Sequence, residues 1–242
     1  MAPGRPRSLL DRRQALALLG GAGAALLSGC GVVPSESACT LSPALTAGPY
    51  WRDERLERSD IRWDTHPSAT EPRPGVPLLL TIQLLVPSQQ GCQPLRGAQV
   101  DVWHCDAQGL YSDVPDRGTS GQDFLRGYQV TDAGGRVTFT TIYPGWYPGR
   151  AVHIHSKVRL YGVYGDTMTE VSTQLFFDDA VTDVVHATAP YAGRGPRETR
   201  NDADPIFAGQ RGLLVSISGQ ETSGPLLGTI ALVVAVGELR PG

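Results

Sequence analysis

The residues best suited to chemistry lie in Arg150-Ala151-Val152-His153-Ile154-His155. Residues two apart on a strand face the same way. His153 and His155 therefore project together, while Val152 and Ile154 face the core. Two adjacent imidazole lone pairs make half of a metal site. H-x-H alone is weak evidence, and two tyrosines carry the reading further. Tyr111 sits in a glycine-containing turn, Gly109-Leu110-Tyr111, and Tyr147 lies just before the histidine strand. A phenolate is a hard anionic oxygen donor. It suits a small trivalent cation that pulls the phenol below its usual pKa of about 10. Two phenolates with two imidazoles favour ferric iron over zinc, which takes thiolate, imidazole and carboxylate. Each tyrosine alone reads by default as a packed aromatic with a hydrogen-bonded hydroxyl.

The elements that must hold these residues read as strands. The chain has 242 residues, 40% of them apolar, enough for a sizeable core in one all-β domain. Its 29 glycines and 19 prolines suit short strands and many turns better than a helical bundle. Strands are expected at 78–86, 97–104, 128–131, 137–141, 153–163, 172–177, 213–218 and 227–236. Asp132-Ala133-Gly134-Gly135 is a turn signal. Residues 66–77 read as a Pro-rich loop and 188–210 as a long irregular one. No segment after residue 38 shows a convincing helical period. The expected fold is an all-β sandwich of mainly antiparallel strands with long loops, preceded by a signal segment. The net charge of −3, without a basic stripe, argues against a nucleic-acid partner.

Five strings, in order, resemble the intradiol ring-cleavage dioxygenases, the family of protocatechuate 3,4-dioxygenase and catechol 1,2-dioxygenase. Thr46-Ala47-Gly48-Pro49-Tyr50 resembles the segment lining their substrate pocket. Trp103 followed by Tyr111 resembles the first ligand motif. Thr141-Ile142-x-Pro144-Gly145-x-Tyr147 resembles the second and selects Tyr147 over Tyr143. Arg150 through His155 resembles the third, and Thr173-Gln174-Leu175-Phe176-Phe177 the strand carrying an active-site glutamine. The resemblance implies a non-haem Fe(III) site held by Tyr111, Tyr147, His153 and His155. It implies a catechol-type substrate, O2 as co-substrate and a cis,cis-muconate-type product, with no external reductant. Tyr147 would be the ligand that leaves and takes up a substrate proton. Arg150 would stabilise charge on the attacked ring carbon, and Gln174 would orient that arginine or the oxygenated intermediate. Tyr50 would line the pocket. Trp146 fits either the pocket mouth or plain core packing. The Tyr147-to-His153 spacing is shorter than in cytoplasmic members, and no N-terminal dimerisation helix is evident. The shorter loop, on an exported protein, suggests an open pocket for bulkier catechols, and the missing helix leaves the oligomeric state open.

The first thirty residues read as an address. Arg5, Arg7, Arg12 and Arg13 precede an apolar run over 15–27, shorter than the roughly 20 residues that span a bilayer. The Arg12-Arg13 pair resembles a twin-arginine export signal, the alternative being an ordinary secretory signal. Leu27-Ser28-Gly29-Cys30 resembles a bacterial lipobox, with Cys30 lipidated as the only membrane contact and residues 31–38 as a tether. The expected domain is 39–242, in an exported cell-envelope lipoprotein. Three cysteines remain, Cys39, Cys92 and Cys105, so at most one internal bridge forms. Cys92–Cys105 is the first expectation and Cys39–Cys105 nearly its equal.

His104 points away from Trp103 on its strand and reads as structural; His66 and His186 read as exposed. Asp178-Asp179 and the 202–204 acidic stretch have no calcium-loop ligand series. Two other classes compete. A non-catalytic transthyretin-like sandwich would bind a surface partner and need no metal. A zinc hydrolase would need a third histidine or carboxylate and a general base. Metal identity separates the three.

Overall fold

The computed structural model describes residues 39–67, 69–207, 213–219 and 224–236. The signal segment, Cys30 and the tether lie outside the described residues. Two sheets face each other. One has the order β4(Arg126–Val130), β3(Gln99–Trp103), β6(His153–Tyr161), β7(Thr167–Phe176). The other runs β2(Gly91–Pro94), β1(Pro77–Ser88), β9(Leu226–Val233), β8(Ser216–Ser218), with β5(Arg136–Ile142) also paired to β1. The pairs are antiparallel except β1 with β9. This is the expected sandwich, with one parallel seam.

Strand β1 shows why the sheets stack. Leu78, Leu80, Ile82 and Leu84 are buried while the alternate residues are not. Each such burial contributes roughly 2 kcal/mol. They pack into one core with Val100, Val102, Ile154 and Leu175 of the facing sheet. Strand β3 differs, because nearly both of its faces are buried. Its outer face is covered by the N-terminal arm. Ser42 N donates to Val233 O, and Leu45 N to Ser172 O, each at 2.8 Å, so the arm crosses from one sheet to the other. Farther on, Arg159 of β6 donates to both Asp101 and Asp53, and Lys157 lies 4.5 Å above the Trp51 ring. These contacts fasten the stretch beside Tyr50 to the face of β6 that also carries His153 and His155.

Three expectations are corrected. The disulfide joins Cys39 to Cys92, with Cα atoms 5.3 Å apart, and Cys105 is free and buried. Cys92 lies on an edge strand next to the start of the arm. Cys105 lies past the far end of β3, clustered with Trp103 and Tyr111. Second, a helix, α1(Asp179–His186), follows β7. The Asp178 carboxylate caps it by accepting from Ala180 N and Val181 N. Only Thr182 and Val185 are buried, three residues apart, which is too short a run to register as a period. Third, His186 is half-buried rather than exposed. Its ring stacks on Tyr191 at 5.0 Å, and its Nε2 lies 3.0 Å from Pro144 O. Among the described residues no helix is long and apolar enough to cross a membrane.

The bridge closes a loop with a sequence separation of 53. Loop-closure entropy assigns such a link about 4 kcal/mol. Cys39→Ser should therefore lower the melting temperature by roughly 10 °C, and reductant should do the same to the native chain but not to the variant. Equal melting with and without reductant would contradict the pairing.

Candidate active site

The site is assembled where β3, β6 and β7 lie abreast. Trp103 pairs with His155 and His155 with Gln174, so the three side chains share one row on one face. The Trp103 ring stacks on His155 at 4.9 Å with an interplanar angle of 5°, which fixes the imidazole plane. Across the ring, Gly48 makes a close approach. Its φ is +71°, and a Cβ there would stand 3.1 Å from His155 Cε1, so this position favours glycine twice over.

His153 lies two residues back. Its Nδ1 is 2.7 Å from Ala151 O, which fixes the proton on Nδ1 and leaves the Nε2 lone pair free. That Nε2 is 3.1 Å from His155 Nε2 and 3.2 Å from the Tyr147 hydroxyl. Two nitrogens sharing one ion at about 2.1 Å each stand about 3 Å apart.

Two loops bring the tyrosines in. Asp106 organises the first, its carboxylate accepting from Gln108 N at 2.9 Å and Leu110 N at 3.0 Å. The turn so formed ends at Tyr111. Gly145 N donates to Asp106 O at 3.2 Å, tying the second loop to the first and setting Tyr147 beside Tyr111, with ring centroids 5.7 Å apart. Tyr50 stacks on Tyr111 at 4.4 Å. A buried Arg126 locks the layer: it donates to Tyr50 O, Ser112 O and Ser112 Oγ, each at 2.7 Å. With only neutral acceptors in reach of its N–H groups, burial pushes its guanidinium down to about 10.

Arg150 stands beside the cluster. Its Nε donates to Asp204 Oδ2 at 2.9 Å and its Nη2 to Gln174 Oε1 at 2.5 Å. Gln174 Nε2 in turn donates to Thr46 O at 2.8 Å. Asp204 also accepts from the backbone N–H groups of Ala151, Ile206 and Phe207. Burial alone would raise the Asp204 carboxyl. The N–H groups of Ala151, Phe207 and Ile206, with Arg150, lower it instead, so it stays ionised.

Burial dominates the electrostatics. It pushes His153 down to about 3, and His155 well below the usual imidazole range with help from His153 and Arg150. Burial likewise raises Tyr111 far above the phenol range and Tyr147 up to about 12. Left alone, the pocket holds four neutral donors. Among the described residues the fully buried Tyr111 hydroxyl has no hydrogen-bond partner. Such an orphan costs about 1–3 kcal/mol. A cation among these donors would satisfy it and make phenolates accessible, so the donor set fits a hard metal ion. Among the described residues no three His, Cys, Asp or Glu side chains cluster as metal ligands. Any ion held here draws on the tyrosines.

The structure thus brings together Tyr50, Tyr111, Tyr147, Arg150, His153, His155 and Gln174. Trp146 is buried behind the cavity, in the main core, and does not line it. Cys105 adjoins the site as a thiol that donates to Gly145 O, and burial raises it far above the usual range. His104 is held away, between Cys105 O and Thr141 Oγ1. Sequence reasoning missed Asp204 and Arg126. The one available signal for Arg126 was a lone cation following Phe124-Leu125.

Comparison with known proteins agrees with this architecture. A family model described as dioxygenase matches residues 47–192. The intradiol ring-cleavage dioxygenase from Tetranychus urticae is 32% identical, with a TM-score of 0.70, over 84% of this chain and 98% of that one. The dioxygenase domain of a carbohydrate-binding fusion protein from Streptomyces sp. SirexAA-E is 29% identical, with a TM-score of 0.57, over 82% of this chain and 100% of that one. The beta chain of protocatechuate 3,4-dioxygenase from Burkholderia cepacia is 35% identical over 99 residues, covering 36% of this chain. The match spans 40% of that curated relative's length. The family model covers more than half of the chain, and the Tetranychus urticae dioxygenase is matched over nearly its whole length at the same fold. The chain therefore belongs to the intradiol ring-cleavage dioxygenase family.

Proposed function

We propose that this chain is a non-haem iron(III) dioxygenase that inserts both atoms of O2 into a catechol-type aromatic, between its hydroxyls, to give a cis,cis-muconate-type product. One observation carries the reading: two neutral imidazoles and two phenols, one with an orphaned hydroxyl, converge beside a fixed arginine. Tyr111, Tyr147, His153 and His155 would hold the iron. Bound there, ferric iron would withdraw electron density from a catechol and make its ring open to dioxygen.

The chain's own residues do the rest. Both phenols line the cavity, but Tyr147 is only part-buried, whereas Tyr111 is buried and pinned under Tyr50. Tyr147 is thus the phenol free to move, and its oxygen, held as a phenolate when the metal is bound, would take up a proton from the substrate. Arg150 cannot swing, because Asp204 and Gln174 hold two of its nitrogens. A fixed guanidinium needs no reorganisation when charge develops on the ring. Tyr50, Leu110 and Pro148 wall the cavity and limit water.

Export and lipid anchoring at Cys30 belong to the same proposal. They rest on residues 1–30 and on a disulfide, which persists outside reducing compartments. The function test uses purified residues 31–242, iron, catechol and 18O2 without reductant. The account expects one O2 consumed per catechol and both labelled atoms in the dicarboxylate. Incorporation of a single atom, or dependence on added reductant, would contradict it.

A further inference from the structure

We infer that the end of the sandwich opposite the metal donors rests on a lipid bilayer, with the tip of the β6–β7 hairpin set into the bilayer's interface. The inference rests on the reading of Cys30 as a lipid anchor.

Strand register defines that end. β6 starts among the donors at His153 and runs to Tyr161, where residues 162–166 turn the chain back into β7. Gln99 pairs with both Val130 and Arg159, so the start of β3 and the end of β4 lie near that turn. Just past β4, Thr131 Oγ1 donates to Leu95 O at 2.7 Å, and Leu95 N donates to Leu84 O at 3.0 Å. The two sheets therefore end together here. Cys92 stands farther out, paired with Pro87, and its bridge brings Cys39 to the same end. Cys30 lies nine residues before Cys39. Nine residues reach at most about 30 Å. A lipid on Cys30 thus tethers the sandwich by this end.

The same end carries most of the exposed apolar surface. Of nine large apolar side chains exposed among the described residues, six stand here: Leu41, Val130, Tyr161, Val163, Tyr164 and Met168. Leu41 belongs because Ser42 N donates to Val233 O, and Val233 pairs with Leu85 near the outer end of β1. Val163 and Tyr164, each 95% exposed, form the hairpin tip. The turn holds them outward: Gly162 N donates to Asp166 O at 2.8 Å, and Gly165 N to Gly162 O at 2.9 Å. Neither side chain contributes to the core, and grouped exposed apolar residues mark a contact surface. Tyrosine, an apolar ring with a polar hydroxyl, settles at the level of lipid headgroups. Asp166 is exposed at the base of the turn, so its carboxylate stays in water and entry stops at the tip. Such a contact is weak for a free protein. A short tether makes it intramolecular, at an effective concentration on the order of millimolar. The cavity beside Tyr111 and Tyr147 lies at the other end and faces dissolved substrate.

The test uses the full chain, purified from membranes and reconstituted in vesicles of phosphatidylethanolamine and phosphatidylglycerol. Cys105 is buried and Cys39 and Cys92 are bridged, so an environment-sensitive dye can be placed at Tyr164→Cys alone. Val184→Cys, exposed on α1 at the donor end, is the control. The dye at position 164 should shift to the blue and lose most of its emission to nitroxide-labelled acyl chains. The dye at position 184 should do neither. Adding Val163→Asp should release the dye at position 164 from quenching and leave catechol turnover unchanged. Equal quenching at the two positions, or none at either in acylated protein, would overturn the inference and leave the anchor standing. A dye at position 164 already shielded in residues 31–242 without vesicles, at the mass of two chains, would assign the patch to a second copy and overturn it as well. Mass spectrometry showing no lipid on Cys30 would overturn the anchor reading and this inference together.

Discussion

Tyr111→Phe is expected to stabilise the metal-free protein and to disable the metal-loaded one. The substitution removes one oxygen and keeps the ring stacked on Tyr50. That oxygen is buried without a hydrogen-bond partner among the described residues, so deleting it should raise stability by about 1 kcal/mol. If it is also an iron ligand, the variant should bind iron more weakly and open catechol at least about a hundredfold more slowly. Losing even an outer hydrogen-bond partner of a metal ligand costs about 10–100-fold, and a ligand should cost more. The two effects have opposite signs, which an ordinary packed phenol would not produce. Thermal melting of apoprotein and turnover of iron-loaded protein check the pair. Unchanged turnover would remove Tyr111 from the site.

Asp204→Asn is expected to cripple turnover without emptying the metal site. Among the described residues Asp204 makes no hydrogen bond to the four proposed metal donors, though its charge is felt at His153. It holds Arg150 and the N–H of Ala151 immediately before the histidine strand. Removing its charge leaves a part-buried guanidinium with Gln174 alone and puts an amide among donors that need an acceptor. Breaking such a pair costs about 3 kcal/mol or more of stability. Catalysis should fall about a hundredfold in kcat as the fixed cation loosens. Arg150→Lys supplies the companion measurement. It keeps the charge but not the fork that serves Asp204 and Gln174 together, and should lower kcat with less loss of stability. Iron content should match the native protein in both. Loss of iron in step with activity would show instead that Asp204 supports the metal site.

What could be read from the sequence follows from the range of each signal. The H-x-H pair and its shared face come from the two-residue period of a strand, a local property. Tyr111 and Tyr147 emerge from spacing within motifs, and the loop contacts between Asp106 and Gly145 show why that spacing works. Gln174 falls abreast of His155 through sheet register. Asp204 had no such signal. It lies 54 residues beyond Arg150 in a stretch broken only by 3-10 turns at Ala192–Arg194 and Asn201–Ala203. Only tertiary folding brings it under the arginine. The Cys39–Cys92 bridge was missed for a related reason. A short local loop favoured Cys92–Cys105, whereas the arm returns across both sheets before β1 begins. Strand β2 has four residues and no clear alternation, so nothing marked it.

The central claim is tested most directly by the visible absorption spectrum of purified residues 31–242 after iron loading, read with metal analysis and with catechol added. Tyr111 and Tyr147 as ligands predict near-stoichiometric ferric iron and a tyrosinate-to-iron charge-transfer band that shifts when catechol binds. A protein that stays colourless after iron loading, with no bound iron, would contradict the account.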